Sequence, residues 1–232
     1  MFSFSHGCMR LGQTSIIHFT SRLLASASGF VATVFIGRIL GSSGLGTYYL
    51  ILSVVAWLGM AIKMGVTGAI TKRISEGEDD VAYTVAGISI SLALFVIISA
   101  LVMLFHEQVN SYIGYPAVAV VVLFLFVNLA QSIANSVLKG QHLVHISGVF
   151  NPIRTGSRSL VQITALLAGL GLTGLFIGYT VGYLVVAVLG FWIAIKNFKN
   201  IRLPQRYHYH QLLSYAKFSW IGSFRSRAFN WV

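Results

Sequence analysis

Arg22, Lys63 and Arg158 are the residues on which chemistry could turn, because each falls inside a long apolar run. An Arg or Lys at the centre of a bilayer costs about 2.5–3.5 kcal/mol on insertion scales, and such residues usually face a cavity and a counter-charge. Arg225 and Arg227 lie in a last apolar run whose depth is not readable. The five acids are Glu76, Glu78, Asp79, Asp80 and Glu107, and all of them sit in polar connections. No apolar run therefore offers a carboxylate partner. An anionic substrate is the natural counter-charge, and Arg suits phosphate because its planar fork donates two parallel hydrogen bonds.

Spacing groups these residues with other polar side chains. Thr14, His18, Arg22 and Ser26 recur every fourth residue, with Ser21 and Ser28 beside them. Gly59, Lys63 and Thr67 do the same in the next run. Asn128, Gln131, Ser132, Asn135 and Lys139 follow a single helical face further on. That face is rich in amides, which suit sugar hydroxyls. The candidate substrate-binding residues are thus Arg22, Lys63, His18, Asn128, Gln131 and Asn135. Plainer roles compete with each. Arg22 and Lys63 lie within two or three turns of a run's end and could snorkel to an interface. His18 could be a packed, hydrogen-bonded residue, and the amide face could be interhelical glue.

The elements that must position these residues are membrane spans. Charged residues make up 9% of the 232 residues and hydrophobic ones 56%. A soluble domain carries about 25% charged residues, so this chain could not cover a soluble surface. The net charge of +11 does not indicate nucleic acid, since the bases are scattered between apolar runs rather than gathered on one wetted face. A spanning helix needs roughly 20 apolar residues. Six such stretches are expected at about 14–36, 47–70, 82–105, 117–138, 147–171 and 174–195, with a seventh starting near 212. The connections include GRILGSSGLG (37–46), TKRISEGEDD (71–80) and KNFKNIRLPQRYHYH (196–210). The last is the longest polar stretch and divides residues 1–200, a six-helix lobe, from residues 201–232, a cytoplasmic linker and truncated seventh span.

With a cytoplasmic N-terminus, the inside segments hold ten bases: Arg10, Lys72, Arg73, Lys139, Arg154, Lys196, Lys199, Arg202, Arg206 and Lys217. The outside loops hold only Arg38. This is the positive-inside pattern. The acidic run 76–80 reads as a solvated loop. The single cysteine, Cys8, excludes a disulfide framework and a thiolate metal site, and no residue pattern calls for a cofactor. The first apolar stretch is too long for a signal peptide and lacks a clear cleavage site, so it is expected to be retained. Gly174, Gly178 and Gly182 form two GxxxG steps, read as a helix-packing stripe. Tyr179 and Tyr183 beside them could face lipid or cavity. Pro152 and Arg154 suggest a bent or partly interfacial helix start.

The segment GRILGSSGLGTYYLILSVVAWLGMAIKMGVTGAITKRISEGED resembles the first-to-second-span region of polysaccharide exporters, the Wzx-type or O-antigen flippases of lipid-linked oligosaccharides. These belong to the multidrug/oligosaccharidyl-lipid/polysaccharide exporter superfamily. The likeness rests on Arg38, Leu40 and Gly41, on Gly46 and Tyr48, and on Lys72 and Arg73 after a small-residue stretch. GLGLTGLFIGYTVGYLV resembles the fifth-to-sixth-span hairpin, and LLSYAKFSWIGSF resembles the start of the seventh span. The resemblance implies an all-α polytopic membrane protein: the six-helix N-terminal lobe of a MATE/MOP-like transporter plus the start of a seventh helix. It implies alternating access between two lobes, with a polyprenyl-pyrophosphate head group in a cationic cavity and its tails in lipid. Family flippases carry cavity Arg or Lys on the first two spans, and Arg22 and Lys63 lie in the corresponding spans. The expected partners are the bilayer, the lipid-linked oligosaccharide and a missing C-terminal lobe. The 232 residues are expected to be a fragment or a truncated gene product.

Three other readings stay open. A lipid II flippase would need the same cationic spans. A multidrug cation antiporter would need membrane-embedded carboxylates, which these spans lack. A non-transporting gene remnant is the third. An enzyme is disfavoured: a polyprenyl-phosphate glycosyltransferase needs acids in the first outside loop, where 37–46 has none. A polyprenyl phosphotransferase needs separated Asp pairs to hold Mg²⁺, and only Asp79–Asp80 is present.

Overall fold

The computed structural model describes residues 5–63, 65–77, 79–198 and 204–216, with side chains described from residue 19 on except at 21, 22, 24, 25 and 28. Every regular element among them is a helix. They are α1 (Ser5–Lys63), α2 (Val66–Ser75), α3 (Asp80–Leu104), α4 (His106–Ile113), α5 (Val118–Gly140), α6 (Val144–Leu167) and α7 (Gly171–Lys196). A further helix, α8, occupies 206–216.

The stretches 29–63, 80–104, 118–140 and 171–196 are long and apolar enough to cross a membrane. Their exposed faces carry large apolar side chains, among them Trp57, Val96, Leu104, Val188 and Ile195. In water these would be a liability, but a bilayer solvates them. At the end of α7 the Lys196 ammonium lies 3.7 Å from the Trp192 ring centroid, the aromatic-plus-base pairing of a membrane interface. The chain is a multi-pass membrane protein. α6 has spanning length, but a polar face lowers its hydropathy.

Four features depart from expectation. The connection 37–46 is not a loop, since helix runs through it with a single break at Gly41 (φ 72°, ψ −178°). That backbone region is essentially restricted to glycine, so one residue redirects the chain. The expected second span, 47–70, is interrupted. α1 ends at Lys63, and Gly65 takes φ 80° before α2 begins. A Cβ on Gly65 would lie 2.7 Å from the Ala216 carbonyl oxygen, so both its backbone angle and its neighbour require glycine. Pro152 lies inside α6 rather than at its start. The connection after α3 also forms a helix, α4, and Asn110 Oδ1 at its end accepts a hydrogen bond from the Ala117 backbone N–H at 2.9 Å.

The helices form two compact units. The first comprises residues 1–45 and 143–186, and the second 46–142 and 187–232. In the second, α2 packs on α5 and α3, and α3 packs on α5. Its core includes Tyr48, Ile51, Ile70, Tyr83, Phe124 and Leu212. Gly140 permits the α2–α5 approach, because a Cβ there would meet Ile74 Cβ at 2.6 Å. In the first unit α6 packs on α7, where the three-glycine stripe does the packing the sequence suggests. A Cβ on Gly174 would lie 2.8 Å from Ala165 Cβ, and one on Gly182 2.7 Å from Arg158 Cβ.

Candidate functional site

His18 and Arg22 belong to the first unit, and their side chains lie outside the described residues. Lys63, Asn128, Gln131 and Asn135 fall in the second. Lys63 is half-buried and closes α1, where the unpaired C-terminal carbonyls favour a cation. Gly59, one turn earlier, faces the amide stripe of α5: a Cβ on it would lie 3.8 Å from Asn128 Oδ1. Lys63 and Asn128 each make a further interaction. Gln131 is buried. Asn135 Oδ1 is buried and accepts no hydrogen bond among the described residues. The α5 stripe is thus a real face, with its middle turned into the protein.

Towards the C-terminal end of α5 that face opens into a groove of about 470 Å³. Thr67, Thr71, Lys72 and Ser75 of α2 line it, with Ser136 and Lys139 of α5 and Tyr215 of α8. Thr67, Thr71 and Ser75 are four residues apart, so they share one side of α2. Thr71 Oγ1 donates to the Ser136 carbonyl at 3.0 Å and ties the two helices. Lys72 Nζ sits 4.5 Å from the Tyr215 ring centroid and 3.8 Å from Glu76 Oε1. Hydroxyls between two ammonium groups can hold a hydroxylated, anionic ligand. The sequence places Lys139 on the amide face of α5 and Lys72 among the inside bases, but does not bring the two together. The recurrence of hydroxyls at 67, 71 and 75 was the signal available for this groove.

The acidic run 76–80 is not simply solvated. Glu76 pairs with Arg73 at 3.0 Å. The Asp79 carboxylate is only 15% exposed and lies 3.5 Å from His208 Nε2. It also accepts a hydrogen bond from the Tyr207 hydroxyl at 3.3 Å. His208 is buried, its Nδ1 accepting from the Gln205 backbone N–H at 2.9 Å. That bond leaves the proton of a neutral ring on Nε2, towards Asp79. The Tyr83 hydroxyl donates to Gln211 Oε1. α8 is thereby docked on the start of α3. A smaller cavity of about 230 Å³ adjoins Asp79, Asp80, Gln141 and His142. Among the described residues no group of three or more His, Cys, Asp or Glu could hold a metal ion.

In the first unit two arginines of α6 stand against two tyrosines of α7. Arg154 Cζ lies 5.0 Å from the Tyr183 ring centroid and Arg158 Cζ 5.2 Å from that of Tyr179. The two rings stack on each other at 4.4 Å. Both tyrosines are buried and both arginines are half-buried. Beyond them, buried Gln162 donates from Nε2 to the Leu175 carbonyl at 3.0 Å. Tyr179 and Tyr183 therefore face protein rather than lipid. Arg154 is not merely a topology marker.

The model of a polysaccharide biosynthesis protein family matches residues 11–232 of this chain. A probable low-salt glycan biosynthesis flippase of Haloferax volcanii is 25% identical over 224 residues, covering 97% of this chain and 47% of its own length. A second probable flippase of that organism is 22% identical over 227 residues, covering 96% of this chain and 46% of its own length. The chain spans about half the length of these relatives. A crystal structure of a MATE protein in its straight conformation superposes with a TM-score of 0.68 at 16% identity, over 91% of this chain and 52% of that one. A MOP superfamily transporter from Pyrococcus furiosus, described as having a binding pocket of reverse polarity, gives 0.67 at 17% identity, over 92% and 51%. The all-α fold is that of half a MATE/MOP-type transporter.

Proposed function

The chain belongs to the polysaccharide biosynthesis protein family, and from that premise we propose that it works in a membrane flippase. Its substrate would be an oligosaccharide linked to a polyprenyl pyrophosphate, and its role would be transport rather than catalysis. The observation that carries this reading is a set of apolar helices that hold bases and, among the described residues, only one carboxylate, Asp80 at the first residue of α3. A cation antiporter requires the opposite polarity. The names of the Haloferax relatives support glycan flipping as the activity.

Arg22 and Lys63 would attract the pyrophosphate, with His18 as a hydrogen-bonding neighbour of Arg22. Asn128, Gln131 and Asn135 would meet sugar hydroxyls. Lys63 at a helix break is in keeping with discontinuous helices at transporter binding sites. The chain would lie in the cytoplasmic membrane with its N-terminus inside, and a second lobe would complete the pathway. The test is glycan export in cells that depend on this protein. Arg22→Ala and Lys63→Ala are expected to impair export without loss of expression. Normal export in both variants would remove the assignment.

A further inference from the structure

The groove between α2, α5 and α8 sorts its hydrogen-bonding groups by kind. Thr71 Oγ1 shares its proton between the Thr67 and Ser136 carbonyls, at 3.1 and 3.0 Å. The Ser75 hydroxyl donates to the Lys72 carbonyl at 2.7 Å, and that of Ser136 to the Ser132 carbonyl at 2.9 Å. A hydroxyl has one proton and two lone pairs, so these three oxygens are left as acceptors for a ligand. The charged donors lining the groove are the ammonium groups of Lys72 and Lys139. Lys139 is exposed and makes no hydrogen bond or ion pair among the described residues. Lys72 lies 3.8 Å from Glu76 Oε1, too far for a hydrogen bond. Glu76 also pairs with Arg73 at 3.0 Å. Among the described residues, that single carboxylate faces Lys72, Arg73 and Lys139 at this end of the helices, and positive charge remains in excess. Each lysine sits in the last turn of its helix, where the helix dipole favours a cation. The dipole accounts for each lysine singly, but not for both lining one groove with three acceptor hydroxyls.

We propose that this groove binds a phosphate ester that carries free hydroxyls. Lys72 and Lys139 take the phosphate, and the oxygens of Thr71, Ser75 and Ser136 accept from the ligand's hydroxyls. These residues are distinct from those assigned above to the transported substrate, and the site stands whether or not the chain moves a glycolipid. Its volume of about 470 Å³ falls within the roughly 300–1,000 Å³ of small-molecule sites. Lys139 closes a helix long enough to span a membrane, so the groove lies at a membrane boundary. A soluble sugar phosphate and the glycerol head group of an anionic phospholipid share this chemistry, and both can reach such a place.

The chain would be placed in phosphatidylcholine nanodiscs, and its affinity measured for glucose 1-phosphate in the water and for phosphatidylglycerol in the bilayer. Wild-type protein is expected to bind at least one of the two. Binding of glucose 1-phosphate identifies a sugar phosphate as the source, and binding of phosphatidylglycerol alone identifies a phospholipid head group. Lys72→Gln/Lys139→Gln should weaken the binding by about tenfold or more, the worth of lost charge-assisted hydrogen bonds. If the double variant lowers Tm, Lys139→Gln serves in its place. It breaks no hydrogen bond or ion pair among the described residues, and should bind several-fold more weakly at an unchanged Tm. Lys196→Gln, at an exposed lysine of the same unit, should leave the affinity unchanged. Methyl phosphate and phosphatidylmethanol, which lack the hydroxyls, should each bind several-fold more weakly than their hydroxylated counterpart. Binding of neither probe by the wild type, equal affinity in the Lys72 and Lys139 variants, an equal loss in Lys196→Gln, or equal affinity for the hydroxyl-free probes overturns the proposal.

Discussion

Replacing Gly182 by alanine puts a methyl carbon 2.7 Å from Arg158 Cβ and 2.9 Å from the Arg154 carbonyl oxygen. Carbon atoms pack best at about 3.5–4.0 Å, so α6 and α7 must part by about 1 Å. Neither neighbour can swing aside, because one is a Cβ fixed to its helix and the other is backbone. Overpacking of this kind costs about 1–3 kcal/mol. Alanine returns roughly 1 kcal/mol through its helix propensity. With the contact so far inside the optimum, the net loss is expected to be about 1–2 kcal/mol. Gly156 on α6 provides the control, since a Cβ there meets nothing within 4 Å. Gly156→Ala keeps the propensity gain without the clash and should stabilise by up to roughly 1 kcal/mol. Thermal unfolding of both variants in detergent, followed by circular dichroism, reads the difference. Tm should fall for Gly182→Ala and hold or rise for Gly156→Ala. Shifts of the same sign would mean that the close α6–α7 approach does not exist.

Other substitutions separate the remaining forces. Gly41→Ala acts on the backbone alone, as no neighbour lies within 4 Å; the strained angles predict about 1–3 kcal/mol of lost stability, read as a lower Tm. Gln162→Leu removes the hydrogen bond to Leu175 but keeps the volume, and interhelical hydrogen bonds in membranes average about 0.6 kcal/mol. Its Tm should move far less than that of Gly182→Ala. His208→Ala removes a buried ring and the group facing Asp79, and should cost about 1–3 kcal/mol locally. Hydrogen exchange in α8 should rise while α6 and α7 keep their protection.

What the sequence disclosed, and what it did not, follows from the range of the forces involved. Hydropathy over twenty residues is a local property, and helices occupy all six expected stretches. The GxxxG stripe was equally legible, because small residues at helical spacing have one dominant use. The break at Gly65 was not, since the apolar run continues through Val66, Ala69 and Ile70 and glycine is common in spans. The left-handed φ of Gly65 and the approach of the Ala216 carbonyl, some 150 positions away in sequence, are tertiary features that no local pattern carries. Asp79 looked solvated because its partners, Tyr207 and His208, lie on α8. Arg154 and Arg158 were visible as charges, but their tyrosines belong to the next helix. The α5 amide stripe was readable as a face, although its periodicity does not say which part of it is buried and which opens into the groove beside Lys139.

Movement of an anionic glycolipid across a bilayer is the central claim, and it can be measured in proteoliposomes. A polyprenyl-pyrophosphate oligosaccharide would be placed in the inner leaflet, and its arrival outside followed by cleavage with an added membrane-impermeant glycosidase. The account predicts that the protein accelerates this arrival over protein-free vesicles, that Arg22→Ala and Lys63→Ala abolish the acceleration, and that a neutral glycolipid with the same glycan is not moved. Equal movement of the neutral and the anionic lipid, or none of either, would contradict it.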